Sequence, residues 1–233
     1  MKLIFIHGSG ACGDVWYYQK QHFGDADAVD LPGHPAGRLR NSIEEYADWL
    51  HEHIRQNIYR DVVTVGHSLG GGIALMHAYK YPQDTKAIIT VGSGARLRVL
   101  PLIIEAIKNK LNDPEGWMKD LVAPLYSTVD AGVMGRLLPK LAAVGPAAQL
   151  NDFFCCDKFD IMDKVGLIKV PALAIVGDQD NMTPPKYSQY LAKNMPDCKM
   201  AVIEGATHLV FLEKADQVNQ AIEEFLKWIG NQR

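Results

Sequence analysis

No apolar run in the chain approaches the ~20 residues that a membrane-spanning helix requires. A basic excess is also missing. The 24 Lys and Arg stand against 27 Asp and Glu, for a formal charge of −3, so the electrostatic footprint of a nucleic-acid binder is absent. Cysteine is scarce: Cys12, Cys155, Cys156 and Cys198 form no CxxC pattern and no metal-ligand spacing. Free thiols in a reducing compartment fit this pattern better than disulfides, and no metal or other cofactor is expected. The opening Met1-Lys2-Leu3-Ile4-Phe5-Ile6-His7-Gly8 is too short and too soon interrupted for a signal peptide, so a soluble, cytoplasmic protein is expected. Internal repeats and low-complexity tracts are not visible.

What is present is ordinary globular composition, 48% hydrophobic and 22% charged. At 233 residues the default is one domain, with room for an insertion. Apolar β-branched runs alternate with helix-like segments, the pattern of a parallel α/β sheet. Strands are expected at Leu3–Ile6, Ala26–Leu31, Asp61–Gly66, Lys86–Val91, Ala172–Val176 and Lys199–Ile203. Helices are expected near Val15–Gln21, from Ser42 to Asn57, over Ser68–Tyr81, after Thr183-Pro184, and from Lys214 to Ile229. Ser42-Ile43-Glu44-Glu45 reads as a capping box, and Ile43, Tyr46, Ala47, Leu50 and Ile54 form a stripe at helical spacing. Thr183 followed by Pro184 reads as an N-cap with proline at the first helical position. Between Arg96 and Lys164 strand signals vanish. Helical stretches there, near Leu102–Leu111, Glu115–Leu121, Ala131–Leu141 and Ala147–Cys156, are punctuated by Pro101, Pro114, Pro124, Pro139 and Pro146. The fold class is therefore α/β: about six mostly parallel strands flanked by helices, with a helical cap (96–164) inserted after the fourth strand. The core would be 1–95 and 165–233.

Gly66-His67-Ser68-Leu69-Gly70 matches G-x-S-x-G between a Val-rich strand and a helix, the setting in which that motif carries meaning. A strand-to-helix turn this sharp strains the backbone at the serine, and side chains two positions to either side would collide, so Gly66 and Gly70 are required. A serine hydroxyl needs a base within hydrogen-bond reach. Of the eight histidines, His51 and His53 sit on a surface helix, His22 precedes a loop, and His77 lies too far along the helix after the turn to reach back. His67 is adjacent to Ser68 and should point away. His208 follows the last strand in a loop of small residues, at the strand-end edge where sites form in open parallel sheets. The base needs a carboxylate partner. Asp178 and Asp180 are both candidates after the preceding strand; Asp180, in mid-loop, is better placed to swing sideways.

Acyl transfer also requires donors for the developing oxyanion. The backbone N–H of Leu69 is one candidate, and that of Ser9, in His7-Gly8-Ser9-Gly10, is the other. The same loop offers a competing reading, because Gly8, Gly10 and Gly13 match G-x-G-x-x-G and Asp30 sits near the spacing of a ribose-binding acid. A dinucleotide fold, however, has no use for Ser68, Asp180 and His208 in nucleophile–acid–base order.

With these residues in place, the chain resembles the α/β-hydrolase superfamily over nearly its whole length, specifically its small capped serine hydrolases of carboxylesterase type. The resemblance rests on His7-Gly8, Asp30-Leu31-Pro32-Gly33-His34, the Gly66–Gly70 turn, Gly177-x-x-Asp180-x-x-x-Pro184, and His208 followed by Glu213. It implies Asp180 rather than Asp178, a helical cap over 96–164, and strand order 2-1-3-4-5-6. There are departures. The chain opens at the first core strand without the family's antiparallel hairpin, Pro35-Ala36-Gly37 follows His34, and Thr207 stands where glycine is common. A serine nucleophile also argues against the dehalogenase and epoxide hydrolase branches.

The expected activity is cofactor-free hydrolysis of a small or medium apolar carboxylic ester. A thioesterase, lactonase, C–C hydrolase or acyltransferase would use the same residues, and a ligand receptor with little turnover is the alternative outside enzymes. The 96–164 segment carries nine Lys/Arg and nine Asp/Glu, so it offers a charged substrate no bulk attraction. Trp117, Tyr126 and Phe153 are candidates for lining an apolar pocket. The partner would be a small molecule, with no nucleic acid and no membrane. Arg96 and Arg98 could meet a carboxylate, although solvated surface charge is the plainer reading.

Overall fold

The computed structural model describes residues 1–231 of the chain. Successive residues of a strand face opposite sides of a sheet, so strands buried on both faces must be apolar at every position. The central strands follow that rule. β1 (Lys2–Ile6) sends Ile4 and Ile6 to one core and Leu3 and Phe5 to the other. The 3-10 turn Gly13–Trp16 and α1 (Tyr17–His22) then lead into the short β2 (Asp27–Val29). After α2 (Ile43–Gln56) come β3 (Val62–His67), α3 (Leu69–Lys80) and β4 (Thr85–Val91).

Between β4 and the next strand the chain is mainly helical: α4 (Pro101–Lys108), α5 (Pro114–Trp117), a wide turn over Met118–Val122, a tight one over Ala123–Tyr126, the long α6 (Ala131–Lys158) and a 3-10 turn over Val165–Leu167, with a single antiparallel bridge between Arg96 and Asp160. α6 breaks at Gly145, whose φ of 80° and ψ of 166° leave the helical region just before Pro146. The break divides it at the point where the sequence predicts two helices. The sheet then resumes with β5 (Ala172–Gly177), α7 (Pro185–Asn194) and β6 (Cys198–Ile203), before α8 (Val210–Glu213) and α9 (Ala215–Gly230).

All five strand pairings are parallel and the order is β2-β1-β3-β4-β5-β6, as the resemblance implies. One core joins the sheet to α2, α3 and α7 through Ile43, Leu50, Ile73 and Leu191. The other joins it to α9 and the helical insertion through Trp16, Phe211, Ile222, Trp117 and Leu141. Among the described residues no helix is long and apolar enough to cross a membrane.

Two local expectations change. Thr183 does not cap α7; the helix begins at Pro185 with Pro184 before it, because the Thr183 hydroxyl is taken up by Asp180 at 2.8 Å. Ser42 does cap α2, accepting from the Glu45 N–H at 3.2 Å, but the Glu45 carboxylate accepts from the N–H of Asn41 rather than that of Ser42. The box is thus shifted by one residue, and the hydroxyl of Ser42 carries its own share of the cap. Ser42→Ala is expected to lower the unfolding free energy by about 0.5–2 kcal/mol, read from urea midpoints at constant slope.

Candidate active site

Parallel strands bring every β-to-α turn to one edge of the sheet, and four such turns meet there. After β3, Ser68 adopts φ 51° and ψ −114°, a region that a residue with a side chain normally avoids. A Cβ on Gly66 would strike the Gly70 carbonyl, and one on Gly70 would strike the Ile6 carbonyl. Both glycines are therefore required by close approach, as the motif implies. The turn is tied down by its backbone: the Ser68 N–H donates to the Val91 carbonyl at 3.0 Å, and Ser93 Oγ donates to the Ser68 carbonyl at 2.7 Å.

The loops after β5 and β6 supply the acid and the imidazole. His208 Nδ1 lies 2.9 Å from Asp180 Oδ2 and 3.2 Å from Thr183 Oγ1. Since the Thr183 hydroxyl donates to Asp180 Oδ2, its oxygen is left to accept, and the Nδ1–H is shared between the two. Asp180 Oδ1 accepts from the N–H groups of Met182 and Thr183 at 2.9 and 2.8 Å. Burial alone would raise the Asp180 carboxyl, but the His208 hydrogen bond and the loop donors outweigh it and hold the group below its ordinary value. Gly92, with φ 53°, follows β4 directly, and a Cβ there would come within 3.2 Å of Asp180 Oδ2. Asp178 is spent elsewhere, accepting from the N–H of Gly205 at 2.8 Å. Thr207, standing where the family has glycine, donates both its N–H and its hydroxyl to Glu213 at 2.6 Å, which fixes the loop next to His208.

Ser68 and His208 line one cavity of about 310 Å³, with Ser9, Tyr126, Phe153 and Phe211 among its walls. No hydrogen bond joins the Ser68 hydroxyl to His208 among the described residues. A second cavity of about 120 Å³ shares Ser68, Phe153 and Met182 with the first and runs under Leu97 and Ile103. Trp117 lines neither cavity. It is fully buried one layer back, where its indole N–H donates to Gln149 Oε1 at 2.7 Å, so the large ring supports the wall through Gln149 rather than forming it. Arg98 reaches the rim of the smaller cavity, but its guanidinium donates to the Asp157 carbonyl at 2.6 Å and faces Asp160, as does that of Arg96.

The N–H groups of Ser9 and Leu69 take part in no hydrogen bond among the described residues. Leu69 opens α3, where the first donors of a helix have no internal acceptor. The Ser9 loop is held by a network that sequence reasoning missed. Asp152 of α6 is completely buried, and its Oδ2 accepts from the Gly10 N–H at 2.9 Å and from His34 Nε2 at 2.8 Å, while Oδ1 accepts from the Tyr46 hydroxyl at 3.3 Å. Burial works against charge on His34, yet the Asp152 carboxylate outweighs it and raises the imidazole above its usual value. A carboxylate on a helix face shared with buried Gln149, Phe153 and Cys156 was the available signal.

His7 closes the same loop, donating from Nδ1 to the Gly8 carbonyl at 2.8 Å and accepting the Leu31 N–H on Nε2 at 3.1 Å. Burial first, and then the neighbouring His34, push it down to about 3. His67 lines the same cavity as Ser68, with its ring 4.6 Å from that of His208, and its Nε2 donates to the His208 carbonyl at 3.0 Å. The dinucleotide alternative is accounted for locally, because the Asp30 carboxylate accepts from the Gly13 N–H at 2.7 Å and so serves the turn.

A family model described as "Alpha/beta hydrolase family" matches residues 3–221. The chain is 28% identical to a pimeloyl-[acyl-carrier protein] methyl ester esterase of Neisseria meningitidis serogroup C, over 98% of this chain and 94% of that protein. It is 32% identical to a proline iminopeptidase of Pestalotiopsis fici, over 72% of this chain and 68% of that protein. Among solved structures, a thermophilic esterase superposes with a TM-score of 0.81 at 33% identity, over 98% of this chain and 90% of that one.

Two consequences of the buried polar groups are measurable. Asp152→Ala strands His34 and the Gly10 N–H in the interior, and is expected to cost about 3–5 kcal/mol in urea unfolding. Asp152→Asn, which keeps an acceptor, is expected to cost less. The second consequence concerns pH. His7, at about 3, and His67, also driven down by burial, lie below the ~6.5 of an unfolded histidine. Their contribution is complete above ~6.5 and lost as the pH falls toward those depressed values. The raised His34 works in the opposite direction, fading as the pH climbs through its folded value. His53 and His77, the latter at about 4, are lowered by burial as well, so four depressed imidazoles stand against one raised. Stability is expected to fall steadily as the pH drops from ~6.5 to ~4; urea midpoints that stay level across that range would contradict this balance.

Proposed function

The chain belongs to the alpha/beta hydrolase family, and we propose that it hydrolyses ester bonds through an acyl-enzyme on Ser68. The observation that carries this reading is the buried Asp180 carboxylate on His208 Nδ1, which leaves Nε2 of that ring available within the cavity that Ser68 also lines. Ser68 Oγ attacks the ester carbonyl carbon while His208 Nε2 takes the hydroxyl proton. Asp180 keeps the proton on Nδ1 and stabilises the imidazolium. The negative charge that develops on the carbonyl oxygen is met by the N–H groups of Ser9 and Leu69, neither of which is committed within the protein. Collapse of the tetrahedral species expels the alcohol with the proton held on His208, and water, activated by the same ring, returns the serine.

The helical segment 96–164 serves as the cap in this reading, since Tyr126 and Phe153 from it complete the larger cavity. The two unequal cavities meeting at Ser68 fit the two halves of an ester, with a small or medium apolar acyl group in the roomier one and a short alcohol group under Leu97 and Ile103. The methyl ester named for the Neisseria relative is of that shape.

A fluorophosphonate probe is expected to leave one covalent adduct, mapped by mass spectrometry to Ser68. Hydrolysis of p-nitrophenyl butyrate is expected to fall at least about a thousandfold in Ser68→Ala and steeply in Asp180→Asn. Rates in Ser68→Ala equal to those of the parent protein would overturn the assignment.

A further inference from the structure

At the far end of α3 from Ser68, three side chains from three elements converge without any part in the ester chemistry. His51 comes from α2, His77 from the last turn of α3, and Asp84 from the short turn before β4. One ligand atom from each lies within 4.8 Å of the other two. His51 Nδ1 is hydrogen-bonded to Asp84, and its ring stacks on Tyr81 at 3.9 Å between centroids, which fixes its plane.

His77 is fully buried, and its two nitrogens are not equivalent. The Thr85 hydroxyl donates its one proton to the Tyr81 carbonyl at 3.3 Å, so the Thr85 oxygen, 3.1 Å from His77 Nδ1, accepts the Nδ1–H. Nε2 is thereby left deprotonated, with a lone pair and no hydrogen-bond partner in the interior. A buried imidazole acceptor without a donor is costly unless something fills it. An outer hydrogen bond that orients a ring and bares its other nitrogen is also how metal-binding histidines are held.

We propose that His51, His77 and Asp84 form a site for one divalent transition-metal ion, zinc in the first instance, which clamps α2 and α3 to the turn before β4. Two imidazoles and one carboxylate suit zinc and its neighbours rather than magnesium or calcium, which prefer all-oxygen shells. Ligands at ~2.0–2.2 Å from zinc lie roughly 3.4 Å apart in a tetrahedron, so small rotations of the partly exposed His51 and Asp84 close the shell. The ion would take the place of the proton between His51 and Asp84, releasing it, and water would complete the coordination. The neighbouring charges are balanced, since Lys80 is paired with Asp48, which also accepts the Tyr81 hydroxyl. His77 lies nine residues beyond Ser68, about 13 Å along the helix, so the site is structural and independent of the proposed ester mechanism. Sequence spacing carries no sign of it, because the ligands come from separate elements.

Isothermal titration of the full chain with zinc chloride tests the proposal, with magnesium chloride as the control. One equivalent of zinc is expected to bind, to raise the thermal midpoint, and to be weakened at least tenfold by His51→Gln and by Asp84→Asn. Both of these positions are partly exposed, so the variants avoid opening the core as His77→Gln would. His208→Asn is expected to retain the equivalent. No zinc binding, equal binding by magnesium, undiminished affinity in His51→Gln, or loss of the equivalent only in His208→Asn would each overturn the assignment.

Discussion

At Ser68 the backbone holds a side chain at φ 51° and ψ −114°, a conformation that costs on the order of 1–3 kcal/mol and persists only where its surroundings over-determine it. Those surroundings are the parallel sheet. The Val91 carbonyl holds the Ser68 N–H, Ser93 and the first turn of α3 hold its carbonyl, and Gly66 and Gly70 remove the two Cβ atoms that would forbid the bend. The strain therefore belongs to a junction between three adjacent strands, β1, β3 and β4, and cannot relax at one of them alone. The other site residues are placed relative to that junction: the Ser9 loop leaves β1, and Gly92, directly after β4, makes the space in which Asp180 meets His208.

The second constraint runs across the molecule rather than along the sheet edge. Asp152, on the inserted helix α6, gathers donors from the Ser9 loop, the loop after β2 and α2. An apolar residue there would pack the insertion equally well but would leave the Gly10 N–H and His34 unpaired. The carboxylate thus couples the position of the insertion to the loop whose Ser9 lines the cavity. His7 acts on the same loop from beneath, through a neutral ring fixed in one tautomer by Gly8 and Leu31. Together they give that glycine-rich loop a defined shape that its own sequence does not impose.

The strands and the three candidate residues at the sheet edge were legible in the sequence because each rests on local chemistry, whereas the strand order came only with the family resemblance. A Val-rich run followed by G-x-S-x-G specifies its own turn, and an aspartate or histidine just past a strand end must lie at the shared edge. What escaped were the contacts between elements distant in the chain. Thr183 reads as a helix cap from its neighbour Pro184, yet its hydroxyl is claimed by Asp180 and its oxygen by His208. Trp117 reads as a pocket wall from its size, yet the indole N–H needs a buried acceptor, which Gln149 supplies from behind the cavity surface. Asp152 looked like one of nine balanced charges because its partners are more than a hundred residues away in sequence. In each case local pattern fixes the element, and a polar atom seeking a partner decides which way the side chain goes.

The two ends of α3 show why such polar demands separate into distinct regions. The helix begins at the strained serine, where free N–H groups and an open cavity favour a developing negative charge. Its last turn carries His77, among Thr85, Tyr81, Asp84 and His51, where carbonyl ends and carboxylates favour protons or cations. In between, residues 70–76 are buried and carry only glycine, alanine, isoleucine, leucine and methionine, so no polar path connects the ends. A proton moved at one terminus therefore has no hydrogen-bonded route along this helix to the other. The fold can thus keep the edge that carries the proposed chemistry open to a cavity while the opposite end of the helix is held by a separate set of polar contacts.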